Sequence, residues 1–130
     1  MYYSTHLIAG ATAGMLAGDA ASGFVAGLVS HAFLDIVPHH DFRRIPFVIT
    51  EIIVGTVLFL FFIVHGHPNA ALIFGSLGGI LPDAELPLYY GKITRAKYFP
   101  SHIFPHKQTG FFRGIWLQAA IALAGLYIIS

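Results

Sequence analysis

The feature that most constrains this fold is a long apolar segment, residues 45–64, which contains a single charged residue, Glu51. A helix needs about 20 mainly apolar residues to cross the hydrocarbon core of a bilayer. The composition agrees, since hydrophobic residues make up 56% and charged residues 10% of the chain, against about 45 to 50% and about 25% in a typical soluble protein. The segment therefore predicts a transmembrane helix, and the composition excludes an ordinary water-soluble domain.

Four further apolar segments predict helices at residues 5–18, 21–37, 69–81 and 111–129. Pro38 and Pro82 end two of them, because proline cannot continue a helix. A chain of 130 residues is long enough for one domain but too short for two separate cores. We expect an all-α fold, namely an integral membrane bundle of about five helices, some shorter than a full span, in a single domain covering residues 1–130. Residues 83–110 form a polar loop that could contain short interfacial helices.

The five predicted helices alternate in direction, which places the N-terminus, residues 38–44 and residues 83–110 on one face of the membrane. All seven Lys and Arg residues lie at that face, and the positive-inside rule makes it cytoplasmic. A formal net charge of +1 is too weak to indicate nucleic acid as the main partner, so we expect the partner to be membrane lipid. Small residues such as Gly10, Gly14 and Gly27 favour close helix packing, which would also suit a homo-oligomer.

The same alternation sorts the residues that bear chemistry. The chain has no cysteine, so any metal ion must be bound by nitrogen and oxygen. Only Asp19, His65 and His67 lie at the opposite end. The acidic and histidine residues predicted at the positive face are His6, His31, Asp35, His39, His40, Asp41, Asp83, Glu85, His102 and His106.

His31 and Asp35 lie one helical turn apart and therefore face the same way. Polar groups near hydrocarbon are costly unless they pair or coordinate, so the pair indicates either a metal site or a His–Asp hydrogen bond between helices. Residues 39–41 follow directly, and one of the two adjacent histidines could add a ligand. A solvated polar turn is the alternative for that segment.

Asp83 and Glu85 come just after a predicted helix end. Carboxylates are unfavourable beside the negative end of a helix dipole, which favours a positive partner such as a metal ion. His102 and His106 could form an arm that folds over the site, with Lys107 and Arg113 available for a phosphate; contact with lipid headgroups is the alternative. His6 is a candidate because of its neighbours, and Glu51 could support the site or pair with Arg44.

Three short motifs carry a family resemblance: Thr5-His6-x3-Gly10, Ser30-His31-x3-Asp35 followed by Pro38-His39, and Gly79-Ile80-Leu81-Pro82-Asp83-Ala84-Glu85. Together they resemble the membrane-bound metal-dependent hydrolase family, which is similar in motif to zinc-dependent phospholipase C. The order departs from that family, in which Pro-Asp-x-Asp precedes the Ser-His-x3-Asp helix. Here that helix comes first, and Glu85 replaces the second aspartate.

The resemblance implies a hydrolase that acts on a phosphoester, either a phospholipid or a lipid-linked phosphate, with Zn²⁺ or another divalent ion such as Mn²⁺. A water molecule activated by the metal would attack the phosphorus, and Asp41 or Glu85 would act as general base. The ligand candidates are His6, His31, Asp35, His39, Asp83, Glu85, His102 and His106.

Two other readings of the same residues stay open. The ligands could serve a non-catalytic metal-binding or ion-handling protein, or the histidines could belong to a structural membrane subunit. Transport is disfavoured, because it needs polar groups through the bilayer and Glu51 alone lies within the predicted 45–64 span.

Overall fold

The structure, a computed structural model, describes residues 1–41, 44–65, 68–103 and 108–130. Within these residues the chain is helical, apart from connecting segments and one isolated parallel bridge between His39 and Gln108. The helices are α1 (Tyr3–Ala17), α2 (Ala20–Ile36), α3 (Ile45–His65), α4 (Ala70–Ile80), α5 (Glu85–Tyr90), α6 (Pro100–Ile103) and α7 (Phe111–Ile129), with a 3-10 turn (Pro82–Ala84) between α4 and α5.

This confirms the predicted all-α fold. Helices α1, α2, α3, α4 and α7 correspond to the five apolar segments, and their ends lie within two residues of the predicted ones. Helices α5 and α6 are short and lie in the predicted polar loop.

Helix α1 ends in a tight turn that reverses the chain into α2. Gly18 adopts the left-handed conformation with φ of 91°, which suits a residue without a side chain. Asp19 then caps α2, since its carboxylate accepts hydrogen bonds from the backbone N–H groups of Ala21 and Ser22. The turn makes α1 and α2 antiparallel, so the start of α1 lies beside the end of α2.

Helices α1, α2 and α4 pack backbone against backbone through glycines. A Cβ atom added to Gly14 would lie 2.7 Å from the Cα atom of Gly75, and one added to Gly10 would lie 2.8 Å from the Cα atom of Gly79. On α2, a Cβ atom added to Gly23 would lie 2.6 Å from the carbonyl oxygen of Ala71. These contacts leave no room for larger residues, and small residues of this kind are typical where membrane helices approach closely.

Helices α3 and α7 flank α1 and expose long apolar surfaces. Both are long and apolar enough to cross a membrane, and α4 with the chain as far as Tyr90 makes a bent third candidate. Two polar contacts fix them to the start of α1: Glu51 Oε1 accepts a hydrogen bond from the Ser4 backbone N–H at 2.7 Å, and Gln118 Oε1 accepts one from Tyr2 at 2.6 Å. The starts of α1, α3 and α7 therefore lie at the same end of the molecule as the ends of α2 and α4.

Candidate metal centre

Histidine and carboxylate side chains converge where the start of α1 meets the ends of α2 and α4. Helix α1 contributes His6 and α2 contributes His31 and Asp35. Asp83 comes from the turn after α4, and His102 comes from α6. We call these five residues the metal cluster. All five were predicted as ligands from the sequence, and four separate segments bring them together.

Asp35 lies at the centre of this cluster. Its Oδ1 atom is 3.2 Å from His6 Nε2, and its Oδ2 atom is 3.1 Å from His31 Nε2 and 3.8 Å from His102 Nε2. Asp83 closes the other side, with Oδ1 at 3.4 Å from His102 Nε2 and 4.0 Å from His31 Nε2. Two carboxylates and three imidazoles are therefore connected by nitrogen–oxygen distances of 3.1 to 4.0 Å.

Two of the imidazoles are oriented through their Nδ1 atoms. His31 Nδ1 lies 2.7 Å from the carbonyl oxygen of Gly79, and His102 Nδ1 lies 2.9 Å from Glu85 Oε1. A carbonyl or carboxylate oxygen can only accept a hydrogen bond, so Nδ1 donates in both rings. The lone pair of the neutral ring is then on Nε2, which faces the cluster. This is how proteins orient histidines that bind metal ions.

The cluster residues on α1 and α2 are buried. His6 and His31 are 0% exposed and Asp35 is 6% exposed. Within the described residues, His31 Nε2 and both ring nitrogens of His6 are buried and make no hydrogen bond, although nearly all buried polar atoms in folded proteins have a partner. The His6 and His31 rings stack with centroids 3.8 Å apart. A cation between the two Nε2 atoms and the carboxylates would give both Nε2 atoms a partner.

The ligand atoms form two overlapping groups with suitable spacing. One group is His6, His31 and Asp83, and the other is His31, Asp35 and His102; within each, the ligand atoms lie within 4.8 Å of one another. Nitrogen and carboxylate ligands suit several divalent ions, including Zn²⁺ and Mn²⁺. These groups could therefore hold a metal ion, without specifying which.

His39 and Asp41 lie beside the cluster. His39 is buried, its Nδ1 atom donates to the Val37 carbonyl oxygen at 2.7 Å, and its Nε2 atom lies 3.2 Å from Asp41 Oδ1. The Met1 nitrogen connects them to the cluster, at 2.7 Å from His39 Nε2 and 3.4 Å from Asp35 Oδ1. His40 points elsewhere, with its ring 5.3 Å from that of Phe111. Of the two adjacent histidines, His39 is thus the one that faces the site.

Glu85 supports His102 and the segment that leads to it. One oxygen accepts from His102 Nδ1, and the other accepts from the backbone N–H groups of Tyr98 and Phe99 at 2.6 and 3.1 Å. Burial lowers the pKa of His102, but hydrogen bonds to Asp83 and Glu85 outweigh it and raise that pKa above its ordinary value. A metal ion at Nε2 would take the place of the proton that makes the bond to Asp83. A direct metal bond or general-base role for Glu85 stays a prediction.

Three other residues predicted to belong to the site or to support it are not part of the metal cluster. His106 and Lys107 lie outside the described residues. Glu51, predicted to support the site or to pair with Arg44, supports the start of α1 through Ser4.

Sequence reasoning missed Gln118, which is 1% exposed and also donates to the His40 carbonyl oxygen at 2.9 Å. Its signal was available, because it is the only amide side chain in α7 and follows Arg113 by more than one turn into the apolar part of that helix.

Function has to be argued from this geometry. Comparisons with protein-family models, with curated proteins and with solved structures find no match to this chain.

Proposed function

We propose that this protein is a membrane-bound, metal-dependent hydrolase that acts on a phosphoester, either a phospholipid or a lipid-linked phosphate. The observation that carries the proposal is the orientation of His31 and His102: each donates through Nδ1 to a fixed acceptor and directs Nε2 at the carboxylates of Asp35 and Asp83. The motif resemblance of the sequence to membrane-bound metal-dependent hydrolases agrees with it. A His–Asp pair that only connects helices would not need the additional histidines.

In this proposal α1, α2, α3, α4 and α7 form a five-helix membrane bundle with the metal cluster at its cytoplasmic end. Support comes from the two candidate spans and from the distribution of charge. In the sequence, all Lys and Arg residues fall within residues 43–44 and 92–113, which adjoin the helix ends on the cluster side. The turns near Asp19 and Asn69, on the other side, contain none.

The residues then have distinct roles. The metal ligands are His31, Asp35, Asp83 and His102. Two further ligands are His6 and His39. A bound divalent ion supplies two things, a lowered pKa for a water molecule and polarisation of a phosphoryl oxygen. Glu85 orients His102.

Asp41 is the better placed general base. Its side chain is 33% exposed beside His39, with Oδ2 accepting a hydrogen bond from Gln108 Nε2 at 2.8 Å. The Glu85 side chain, in contrast, is only 8% exposed and orients His102. Arg113, exposed at the start of α7, offers a guanidinium group to a phosphate.

One observation favours a second candidate, a non-catalytic metal-binding protein. His6 and His31 are completely buried, as ligands of structural metal sites often are, and such a site lacks the open position that catalysis needs. The 22% exposure of the Asp83 side chain supports the catalytic reading, since one side of the cluster remains accessible.

Elemental analysis of the detergent-purified full chain tests the metal, beside Asp35→Ala. We expect stoichiometric Zn or Mn in the parent protein and loss of that metal in the variant. The loaded protein is then assayed against phospholipids and a generic phosphodiester. Metal without hydrolysis would favour the non-catalytic candidate, and absence of metal after reconstitution would indicate a structural membrane subunit.

A further inference from the structure

Helix α3 reveals how far the metal cluster lies from the end of the bundle. Ser4, at the start of α1, donates to Glu51, which lies six residues after the first residue of α3, Ile45. A Cβ atom added to Gly55, four residues further along α3, would lie 2.6 Å from Ser4 Cβ. At about 1.5 Å per residue, the start of α1 therefore lies at least about 9 Å along α3. His6 and the rest of the cluster are therefore recessed relative to the end of α3.

Helix α7 gives an independent measure of the same offset. Tyr2, directly before α1, donates to Gln118, which lies seven residues after the first residue of α7, Phe111. The offset along α7 is about 10 Å by the same rise per residue. The contacts with α3 and with α7 thus each place the start of α1 about 9 Å or more from the first residue of the flanking helix.

The intervening turns of α3 and α7 carry exposed apolar side chains. Ile45 is 73% and Phe47 53% exposed on α3, and Phe112 is 77% and Trp116 74% exposed on α7. Residues of this kind face lipid in a membrane protein, with aromatic side chains enriched near the interface. The apolar belt therefore extends past the cluster towards the end of the bundle.

Two arginines mark where that belt ends. Arg44 directly precedes α3, Arg113 lies in the first turn of α7, and both are exposed. Arginine side chains at helix ends reach towards headgroups. The two arginines mark the headgroup plane. Glu51 lies seven residues after Arg44 and Gln118 lies five residues after Arg113, so these contacts place the start of α1 about 8 to 10 Å beneath that plane.

We infer that the metal cluster lies within the bilayer, below the plane of Arg44 and Arg113, and that its substrate is a phosphoester of a membrane lipid which reaches it from the bilayer. The depth follows from the helix contacts alone, whereas the substrate class also rests on the proposed hydrolase. Asp83, the most exposed side chain of the cluster at 22%, marks the accessible side.

The depth favours a lipid over a soluble ester for a physical reason. Any phosphate must lose part of its hydration to reach the cluster, and that loss is costly. A lipid phosphate already lies within about 10 Å of the cluster, and its acyl chains remain in hydrocarbon as it moves inward. A soluble ester has neither advantage.

Single-cysteine labelling tests the depth, because the chain has no cysteine of its own. Ile36→Cys reports on the cluster, since Ile36 follows Asp35 and is 74% exposed; Ile45→Cys and Val54→Cys, at 73% and 51% exposure, report on the end and the middle of α3. Each metal-loaded variant receives a nitroxide in vesicles of phosphatidylcholine and phosphatidylglycerol. Collision rates with oxygen and with a water-soluble nickel chelate then give the depth.

We expect the Ile36 label to lie deeper than the Ile45 label and no deeper than the Val54 label, with little access to the nickel chelate. An Ile36 label at the Ile45 depth or above it, accessible to nickel, would overturn the recessed position whatever the enzymatic result.

The substrate is tested separately in the same vesicles. Hydrolysis of the vesicle phospholipid is compared with that of a short-chain, water-soluble phosphodiester with the same headgroup, and we expect the lipid to react at least about tenfold faster, because its apolar part contributes to binding. Equal or faster hydrolysis of the soluble diester would overturn the lipid assignment. Hydrolysis of neither would overturn the proposed hydrolase and the substrate with it, and the labels would still decide the depth.

Discussion

Helices α1, α2 and α4 differ from α3 and α7 in length, in packing and in what they carry. The first three have 15, 17 and 11 residues and pack through glycines, whereas α3 and α7 have 21 and 19 residues and expose most of their apolar side chains. The described ligand candidates lie on the three short helices or on segments that follow them. The ligand candidates are thus positioned by helices whose backbones touch, whereas the two long helices expose the apolar surfaces that we assign to lipid.

In the described part of the chain, few polar contacts join the three short helices to the two long ones. Glu51 and Gln118 accept hydrogen bonds from the first residues of α1, so α3 and α7 hold the start of the helix that carries His6 without supplying a ligand. If this division is correct, changes on the short helices should affect folding or metal binding strongly. Changes on the long helices should affect both weakly.

The largest effect is expected from Gly75→Ala, at the contact of α4 with α1. The new Cβ atom would lie 2.6 Å from the Cα atom of Gly14, and backbone atoms cannot move aside as a side chain can. Overpacking of this kind costs about 1 to 3 kcal/mol or more, which would prevent stable folding of a marginal bundle. Circular dichroism during unfolding in detergent measures it. Gly110→Ala is the control, because nothing lies within 4 Å of its Cβ position; equal stability of the two variants would contradict glycine packing.

Asp35→Ala should have the next largest effect, on metal binding. Asp35 contacts His6, His31 and His102, so its loss removes the anion that all three share, and we expect metal affinity to fall by at least about 100-fold, more than loss of a supporting partner costs. Competition with a chelating indicator measures the affinity. Asp19→Ala, at the opposite end of α2, should bind metal like the parent protein, and equal losses would contradict a site at one end.

Glu85→Gln should have a smaller effect on the same property. The glutamine can still accept a hydrogen bond from His102, but it lacks the charge that makes the imidazole a stronger ligand, so we expect a loss of about 10 to 100-fold in metal affinity. Glu51→Gln on α3 is the matched control and should leave the affinity within about twofold, since it contacts Ser4 and no ligand. Reversal of this order would assign the supporting role to the long helices.

The sequence predicted most of what depends on local patterns. Apolar runs between prolines and glycines are local, so α1, α2, α3, α4 and α7 were predicted within two residues of their ends. The His31 and Asp35 pair is also local, because residues four apart share a helix face. Alternation of helix direction predicted that His6, Asp83 and His102 lie at the same end of the molecule as that pair. In the structure they do lie beside it.

Other features depend on contacts that no local pattern encodes. That His39 rather than His40 faces the cluster depends on the path of the chain after Pro38 and on the packing of His40 beside Gly114. The Gly79 carbonyl oxygen that orients His31 belongs to a backbone group, which sequence reasoning does not distinguish from any other. The contacts of Glu85 with Tyr98 and Phe99 depend on the fold of the polar loop.

The smallest effect is expected from Leu60→Ala on α3. Leu60 is 53% exposed and lies on the apolar surface that we assign to lipid, so the substitution exchanges one lipid contact for another and creates no cavity in the protein. We expect a change in unfolding free energy within about 0.5 kcal/mol and unchanged metal affinity. A loss as large as that of Gly75→Ala would show that α3 buries this surface against another protein, most simply a second copy of the chain, and the division between a glycine-packed site and a lipid-facing pair of helices would then have to be abandoned.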